Sequence, residues 1–437
     1  MRWNASTAAT KGRFRLNDEI PHQVRAHRLS RMSGRDPHEQ HRVATPLELL
    51  FDLTFVIAFG VAASQLAHLM ADGHVSAGLA GFGFSAFAIW WAWMNFTWFA
   101  SAYDTDDWIY RVMTMVQMVG VIVLALGIPP VFSSIEHGGH VDNAVMVAGY
   151  VVMRIALVGQ WLRAAGQDPA RRAACLTYAC AVVVAQIGWV LQIFVQTSVT
   201  VFFCTALVLM VVEVSGPVLA ERRMGGTPWH AHHVAERYGL LAIIALGEGV
   251  VGTVASLTAA VGEHGWSTDA IALVAAGIGL TFGMWWVYFL VPAGDLLHAR
   301  RALSFWYGYL HLAVFGAIVA TGAGLHVAAY FVDGESQLSS TGTVLAVAIP
   351  VGIYLVSMFV IYSLLIGQVD VVHLLLLVVA SAALVAAVVL AAQGTSMTVC
   401  LLVITAAPVV VVGGFEAVGH RHAAAIVGRR LGTHPPG

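Results

Sequence analysis

The sequence is 437 residues long, 59% hydrophobic and 11% charged, with a formal net charge of −2. Soluble domains carry about 25% charged residues, so a soluble enzyme, a nucleic-acid binder and a disordered scaffold are excluded. What remains is an all-α, polytopic integral membrane protein whose first partner is the lipid bilayer.

Residues 1–44 are polar and basic, with no apolar core for a signal peptide, and read as a disordered cytosolic tail. From Thr45 onward the chain holds twelve apolar stretches of the roughly 20 residues a membrane helix needs. They are 46–70, 79–101, 110–133, 142–163, 172–194, 197–220, 235–260, 268–292, 303–328, 343–366, 371–392 and 396–416. Helix-breaking loops such as Gly138-Gly139, Gly225-Gly226-Thr227-Pro228 and Asp333-Gly334 separate them. Strand alternation is absent, which excludes a barrel.

The chain also resembles itself. Residues 46–60 align with 234–248, placing Glu48 opposite Glu236, and Trp90-Trp91-Ala92-Trp93 resembles Trp285-Trp286-Val287-Tyr288. An Asp-bearing loop (Asp104 to Asp107; Asp295) and then arginine (Arg111; Arg300, Arg301) follow each aromatic run. Two tandem six-helix repeats are therefore expected, 45–220 and 235–416, joined by a cytosolic linker at 221–234 and followed by a C-terminal tail at 417–437.

Of the 22 Lys and Arg, nine lie in the first 44 residues and most others in alternate loops. The opposite loops, 71–78, 134–141, 195–196, 261–267, 329–342 and 393–395, hold none. The positive-inside rule then places both termini in the cytosol.

A charge at the bilayer centre costs about 2.5–3.5 kcal/mol even on lenient scales, so intramembrane charges are the first functional candidates. They are Glu48, Asp52, Arg154, Glu213, Glu236, Arg237 and Glu248, with Asp370 near a span edge and His311 as a titratable neighbour. Thr45-Pro46-Leu47-Glu48 spells a helix-capping box, a role for Glu48 that needs no further function. Asp52 lies one turn deeper on the same face, as a proton-carrying partner of Glu48, a cation site or a salt bridge to Arg42 or Arg237. Glu248 sits deep in its helix between Gly247 and Gly249, where a second helix or a ligand can approach closely. Arg154 needs a partner, with Glu248 and Glu213 the obvious choices, in a structural pair or in a site built on one. His311 follows Tyr307 and Tyr309 in a stretch that suits either a relay or a hydrogen-bonded core histidine.

Other features read as packing. Gly279-x-x-x-Gly283 suits close helix contact, and the aromatic run from Trp90 to Phe99 covers every face of its helix, as packing and interfacial belt or as the lining of a cavity for an aromatic or amphipathic substrate. Trp229-His230-Ala231-His232-His233 has no carboxylate or cysteine at ligand spacing, so no metal is assigned. The four cysteines lie in apolar runs and read as buried. No Walker A, H-E-x-x-H, G-x-S-x-G or haem-type pattern is present, and no cofactor is expected.

Two stretches carry a family resemblance. Arg42-x-Ala44-Thr45-x-x-Glu48-Leu49-x-Phe51-Asp52-Leu53-x-Phe55 is similar to the opening signature of the bacterial low temperature requirement A (LtrA) family. His233-x-x-Glu236-Arg237-Tyr238-Gly239-Leu240-x-x-Ile243-Ile244-x-Leu246-Gly247-Glu248 resembles its second signature. Tyr238 stands where the family often has Phe, and Gly249 where it has Ser after the glutamate. The resemblance covers about residues 42–420 and implies a multi-pass protein of the bacterial inner membrane; it implies no reaction and no substrate.

Three functions are compatible with these features. The first is a secondary transporter or permease of an unassigned solute, coupled to protons or cations through intramembrane carboxylates. The second is an integral membrane enzyme acting on a lipid or isoprenoid, with paired carboxylates as acid and base. The third is a non-catalytic protein of low-temperature membrane adaptation, with structural charges and room for a homo-oligomer.

Overall fold

The computed structural model describes residues 29–37, 39, 42–262 and 265–431. Among them every regular element is helical, and twelve helices are long and apolar enough to cross a membrane. In order they are Pro46–Ala71, Val75–Tyr103, Trp108–Glu136, Ala144–Gln167, Pro169–Phe194, Val199–Arg223, Ala231–Val261, Thr268–Ala299, Arg301–Val332, Ser340–Ile366, Val371–Ala392 and Met397–Ala424. The expected and observed spans correspond one to one, with ends differing by a few residues to about a turn or two.

Two spans carry breaks near their middles that hydropathy does not report. In the third, helix Trp108–Leu126 stops and Ile128–Glu136 restarts with prolines in its first turn, where a missing N–H costs nothing. In the seventh, helix Ala231–Ala245 ends and Gly247–Gly262 begins, and Gly249 N–H reaches back to the Leu246 carbonyl at 3.0 Å. The Gly247-Glu248-Gly249 run supplies the local freedom for that bend.

The ninth span is the most enclosed of the twelve and packs against the first, the tenth and the second half of the seventh. The third and fourth spans approach backbone to backbone. A methyl at Gly149 would lie 2.4 Å from Leu124 N, and one at Gly120 2.7 Å from the Gly149 carbonyl. Where helices meet this closely, only the smallest side chains fit. Gly279 and Gly283 likewise face Thr405 and Pro408 of the twelfth span, as their spacing suggests.

The described part of the N-terminal segment is not disordered. Residues 29–37, 39 and 42–44 lie against the arginine-bearing end of the bundle, with Met32 fully buried. Ser30 N–H donates to Asp107, Met32 N–H to Gln167 Oε1 at 2.6 Å, and Arg35 N–H to the Ala102 carbonyl at 3.0 Å. Arg163 ties Asp107 to the Ser30 carbonyl. A polar composition suggested a free tail, but the polar groups at these helix ends need partners, and the segment supplies them. Residues 1–28 lie outside the described region.

The opposite terminus also departs from expectation. Instead of stopping at 416, the chain continues through a π-helical turn, Phe415–Gly419, into the helix His420–Leu431. His422 Nε2 comes within 3.4 Å of Asp370 Oδ1. The rest of the expected tail, 432–437, is outside the described residues. Cys175 and Cys400 are buried, whereas Cys180 and Cys204 are exposed on the bundle, contrary to their expected burial.

Candidate functional site

Charges that the sequence scatters over some 200 positions converge on the first half of the seventh span. Successive residues of an α-helix are turned by about 100°, so i and i+4 share a face. His233 and Arg237 therefore point together, toward the first span. Arg237 Nη1 donates to Glu48 Oε1 at 3.0 Å, Nε donates to Asp52 Oδ2 at 3.1 Å, and Nη2 closes a second arm on Asp52 Oδ1. Trp93 Nε1 donates to the same Asp52 Oδ1 at 2.6 Å, and His233 Nε2 lies 3.1 Å from Glu48 Oε1. Arg237, Glu48, Asp52 and His233 are all fully buried.

Glu48 also completes its capping box, accepting from Thr45 N–H at 2.8 Å while its own N–H donates to Thr45 Oγ1. Of the readings open for Asp52, the structure selects the salt bridge to Arg237. One guanidinium fork and one tryptophan engage both oxygens of that carboxylate, so its charge is already paired.

Arg154 finds Glu213. Its Nη2 donates to Glu213 Oε2 at 3.1 Å and to the Tyr150 hydroxyl at 2.6 Å, and Trp189 Nε1 donates to Glu213 Oε1 at 2.9 Å. The alternative pairing of Arg154 with Glu248 is not made. This network joins the fourth, fifth and sixth spans and pairs both of its charges.

Glu248 is different. It lies about midway along its span, in the first turn after the break, and among the described residues no side chain or backbone group donates to its carboxylate. A methyl at Gly60 of the first span would be 2.8 Å from Glu248 Oε1, and one at Gly322 of the ninth 2.8 Å from its carbonyl oxygen. Two glycines on neighbouring helices thus make room for the carboxyl group and its backbone. The dipole at the start of the second half-helix favours negative charge there.

The face of the first half-helix, Ala231–Ala245, turned away from the first span opens on a cavity of about 230 Å³. His232, Ala235 and Glu236, at the i, i+3, i+4 spacing of one face, line it together with Tyr288, Phe289, Tyr307 and His311. His311 Nδ1 lies 2.6 Å from the Tyr307 carbonyl and so carries a proton, leaving Nε2 to accept from the Tyr288 hydroxyl at 3.0 Å. Tyr309, expected beside His311 in a relay, instead donates to the Val214 carbonyl at 2.8 Å. Glu236 is half-buried and accepts from Ala44 N–H at 3.2 Å. Despite its alignment with Glu48, it joins no ion pair among the described residues.

The remaining candidates are structural. Asp370 caps the eleventh span, accepting from Val372 N–H at 2.9 Å. The three neighbouring histidines diverge: His230 bonds the Glu39 carbonyl, His232 bonds Asp295, and His233 bonds Glu48. The aromatic run is core, with Trp90, Trp91, Trp93, Phe96, Trp98 and Phe99 all buried. Tyr288 and His233 were not singled out from the sequence as site residues. The signals were there: His233 is one turn from Arg237, and Tyr288 ends the second aromatic repeat.

Similarity to known proteins agrees with this architecture. A protein of Rhizobium meliloti (strain 1021), the uncharacterized protein RA0937, is 26% identical over 307 residues, covering 65% of this chain and 69% of that one. Residues 43–408, which include both motif stretches apart from Arg42, the first eleven spans and the start of the twelfth, match the family model of the bacterial low temperature requirement A protein. The chain therefore belongs to the LtrA family, as a membrane-spanning helical member of this bacterial group.

Proposed function

We propose that this protein is a secondary transporter of a small solute, coupled to protons or cations through Glu248. The observation that carries the reading is a helix broken at mid-span with an unpaired carboxylate at the break. Discontinuous helices that expose backbone groups and a charge near the bilayer midplane are a recurring way to build a transport site. An intramembrane charge without a structural partner is otherwise hard to retain. Asp52, fully engaged with Arg237, has no coupling role in this scheme.

The neighbour relations of the spans support two tandem halves. The first packs on the second and third, the third on the fourth, the fourth on the fifth and the fifth on the sixth; the seventh to twelfth repeat that order. In this reading the arginine-bearing end faces the cytosol, the protein resides in the inner membrane, and both termini are cytosolic.

The test is solute-driven proton movement in proteoliposomes, followed with an internal pH dye over amines, amino acids and alkali cations. Wild type should move protons with at least one of these, and Glu248→Gln should not, while both elute as intact protein. Equal flux in wild type and Glu248→Gln would remove Glu248 from the mechanism. Solute movement blind to pH and cation gradients in both would remove coupling altogether.

A further inference from the structure

We propose that the cavity between the seventh, eighth, ninth and tenth spans binds a small organic cation, a protonated monoamine with an apolar body. This rests on the transport reading only for calling the cation a cargo; the binding site stands on its own geometry. The cavity holds about 230 Å³, where one water takes about 30 Å³ of liquid, so a compact organic molecule fits.

Charge selects the sign of the ligand. Glu236 contributes a carboxylate to the lining, and no lysine or arginine lines the cavity. The nearest arginine in sequence, Arg237, is turned away and spent on Glu48 and Asp52. His311 is engaged on both nitrogens, Nδ1 with the Tyr307 carbonyl and Nε2 with the Tyr288 hydroxyl, a pattern that a neutral ring satisfies. His232, at the rim, is engaged with Asp295 at 2.9 Å. The space therefore offers one formal negative charge and no lining group committed to a positive one.

Aromatic faces select the class. Phe289, Tyr288 and Tyr307 border the space with Glu236, and ring faces attract an ammonium group with about 0.5–2 kcal/mol each. Val291, Met358 and Ile361 complete an apolar wall for the rest of the molecule. A metal ion would need several hard donors, and no group of three His, Cys, Asp or Glu is gathered for one among the described residues. A carboxylate in an aromatic, otherwise apolar pocket is the chemistry that recognises an alkyl- or arylammonium.

The experiment is titration calorimetry of the full chain in lipid nanodiscs with benzylammonium, benzyl alcohol and benzoate. These share a ring and differ in charge. Benzylammonium should bind saturably, and the alcohol and the anion at least tenfold more weakly. Glu236→Gln, whose amide oxygen can still accept from Ala44 N–H, should weaken benzylammonium at least tenfold. Phe289→Leu keeps apolar bulk at a partly exposed position, and should weaken the cation about fivefold while sparing the alcohol. Benzoate or the alcohol binding as tightly as the cation, no binding of benzylammonium at all, or unchanged affinity in a folded Glu236→Gln would each overturn the proposal. Binding without proton-coupled flux would leave this site standing and remove the transport reading; coupled flux without amine binding would do the reverse.

Discussion

The half-helix Ala231–Ala245 turns His233 and Arg237 toward the first span and His232, Ala235 and Glu236 toward the cavity. On the first face every charge is answered: Arg237 by two carboxylates, and those by a tryptophan, a histidine and a capping N–H. On the second, a carboxylate borders open space among aromatic rings. Both faces carry intramembrane charge, and charge alone would rank the first higher. Pairing separates them: a network in which each charge meets an opposite one holds helices together, whereas a charge with no ionic partner beside a volume can act on something that arrives. Glu248, at greater depth, is without a donor among the described residues.

The contrast can be tested by mutation, and the largest effect should come from the paired face. Arg237→Met strands two buried carboxylates and should cost about 3–5 kcal/mol, the usual penalty for breaking a buried ion pair from one side. Thermal unfolding in detergent should show a steep loss, and adding Glu48→Gln and Asp52→Asn should restore much of it. Failure of the triple variant to recover would mean that the charges themselves, and not their mutual pairing, stabilise the bundle. Next, Gly322→Val puts a methyl within 2.8 Å of the Glu248 backbone and should cost about 1–3 kcal/mol by wedging the seventh span from the ninth.

A pH effect of intermediate size is expected at Asp104, in the loop after the second span. Burial pushes its carboxyl up to about 6, with the negative charge of Glu48 adding to the shift. A folded-state value above the unfolded one of 3.8 means that the folded protein holds the proton more tightly. The stability from this group is therefore full at acid pH and is lost as pH rises through about 6. Asp104→Asn should gain roughly 1.4 kcal/mol relative to wild type between pH 5 and pH 8; parallel melting curves for the two proteins would refute the shift.

The smallest effects on stability should come from the groups without an ionic partner. Glu248→Gln should change it by no more than about 1 kcal/mol, since no donor loses its partner, yet abolish coupled flux. Glu236→Gln should fall within about 0.5 kcal/mol of wild type while losing amine affinity. A large melting shift in either would move that residue to the paired class.

Much of the fold is legible in the sequence because the bilayer imposes a length and a polarity on each span. The twelve spans, the capping box at Thr45 and the packing role of Gly279 and Gly283 need only local pattern. The pairing of charges does not follow locally. Asp52 and Arg237 are 185 residues apart, so only packing decides whether Arg42 or Arg237 is the partner. Likewise, Arg154 could be matched to Glu248 or Glu213 until the fourth and sixth spans were placed. The separation of Glu236 from Arg237 follows from helical geometry, but which face meets the first span does not. The seating of residues 29–37, 39 and 42–44 on the bundle is not legible in the sequence, because it rests chiefly on polar and backbone bonds, which leave little hydrophobic pattern.

The distance in sequence between Asp52 and Arg237 also constrains how the chain is made. Synthesis proceeds at about 5–20 residues per second, so the guanidinium is added some ten to forty seconds after the two carboxylates it neutralises. For that interval the first span has entered the membrane without its counter-ion. It must keep Glu48 and Asp52 protonated, or hold them near the water interface, until the seventh span arrives. The first span thus reaches its final seat only once the seventh has been made, and nascent chains released before residue 237 should leave it accessible to water.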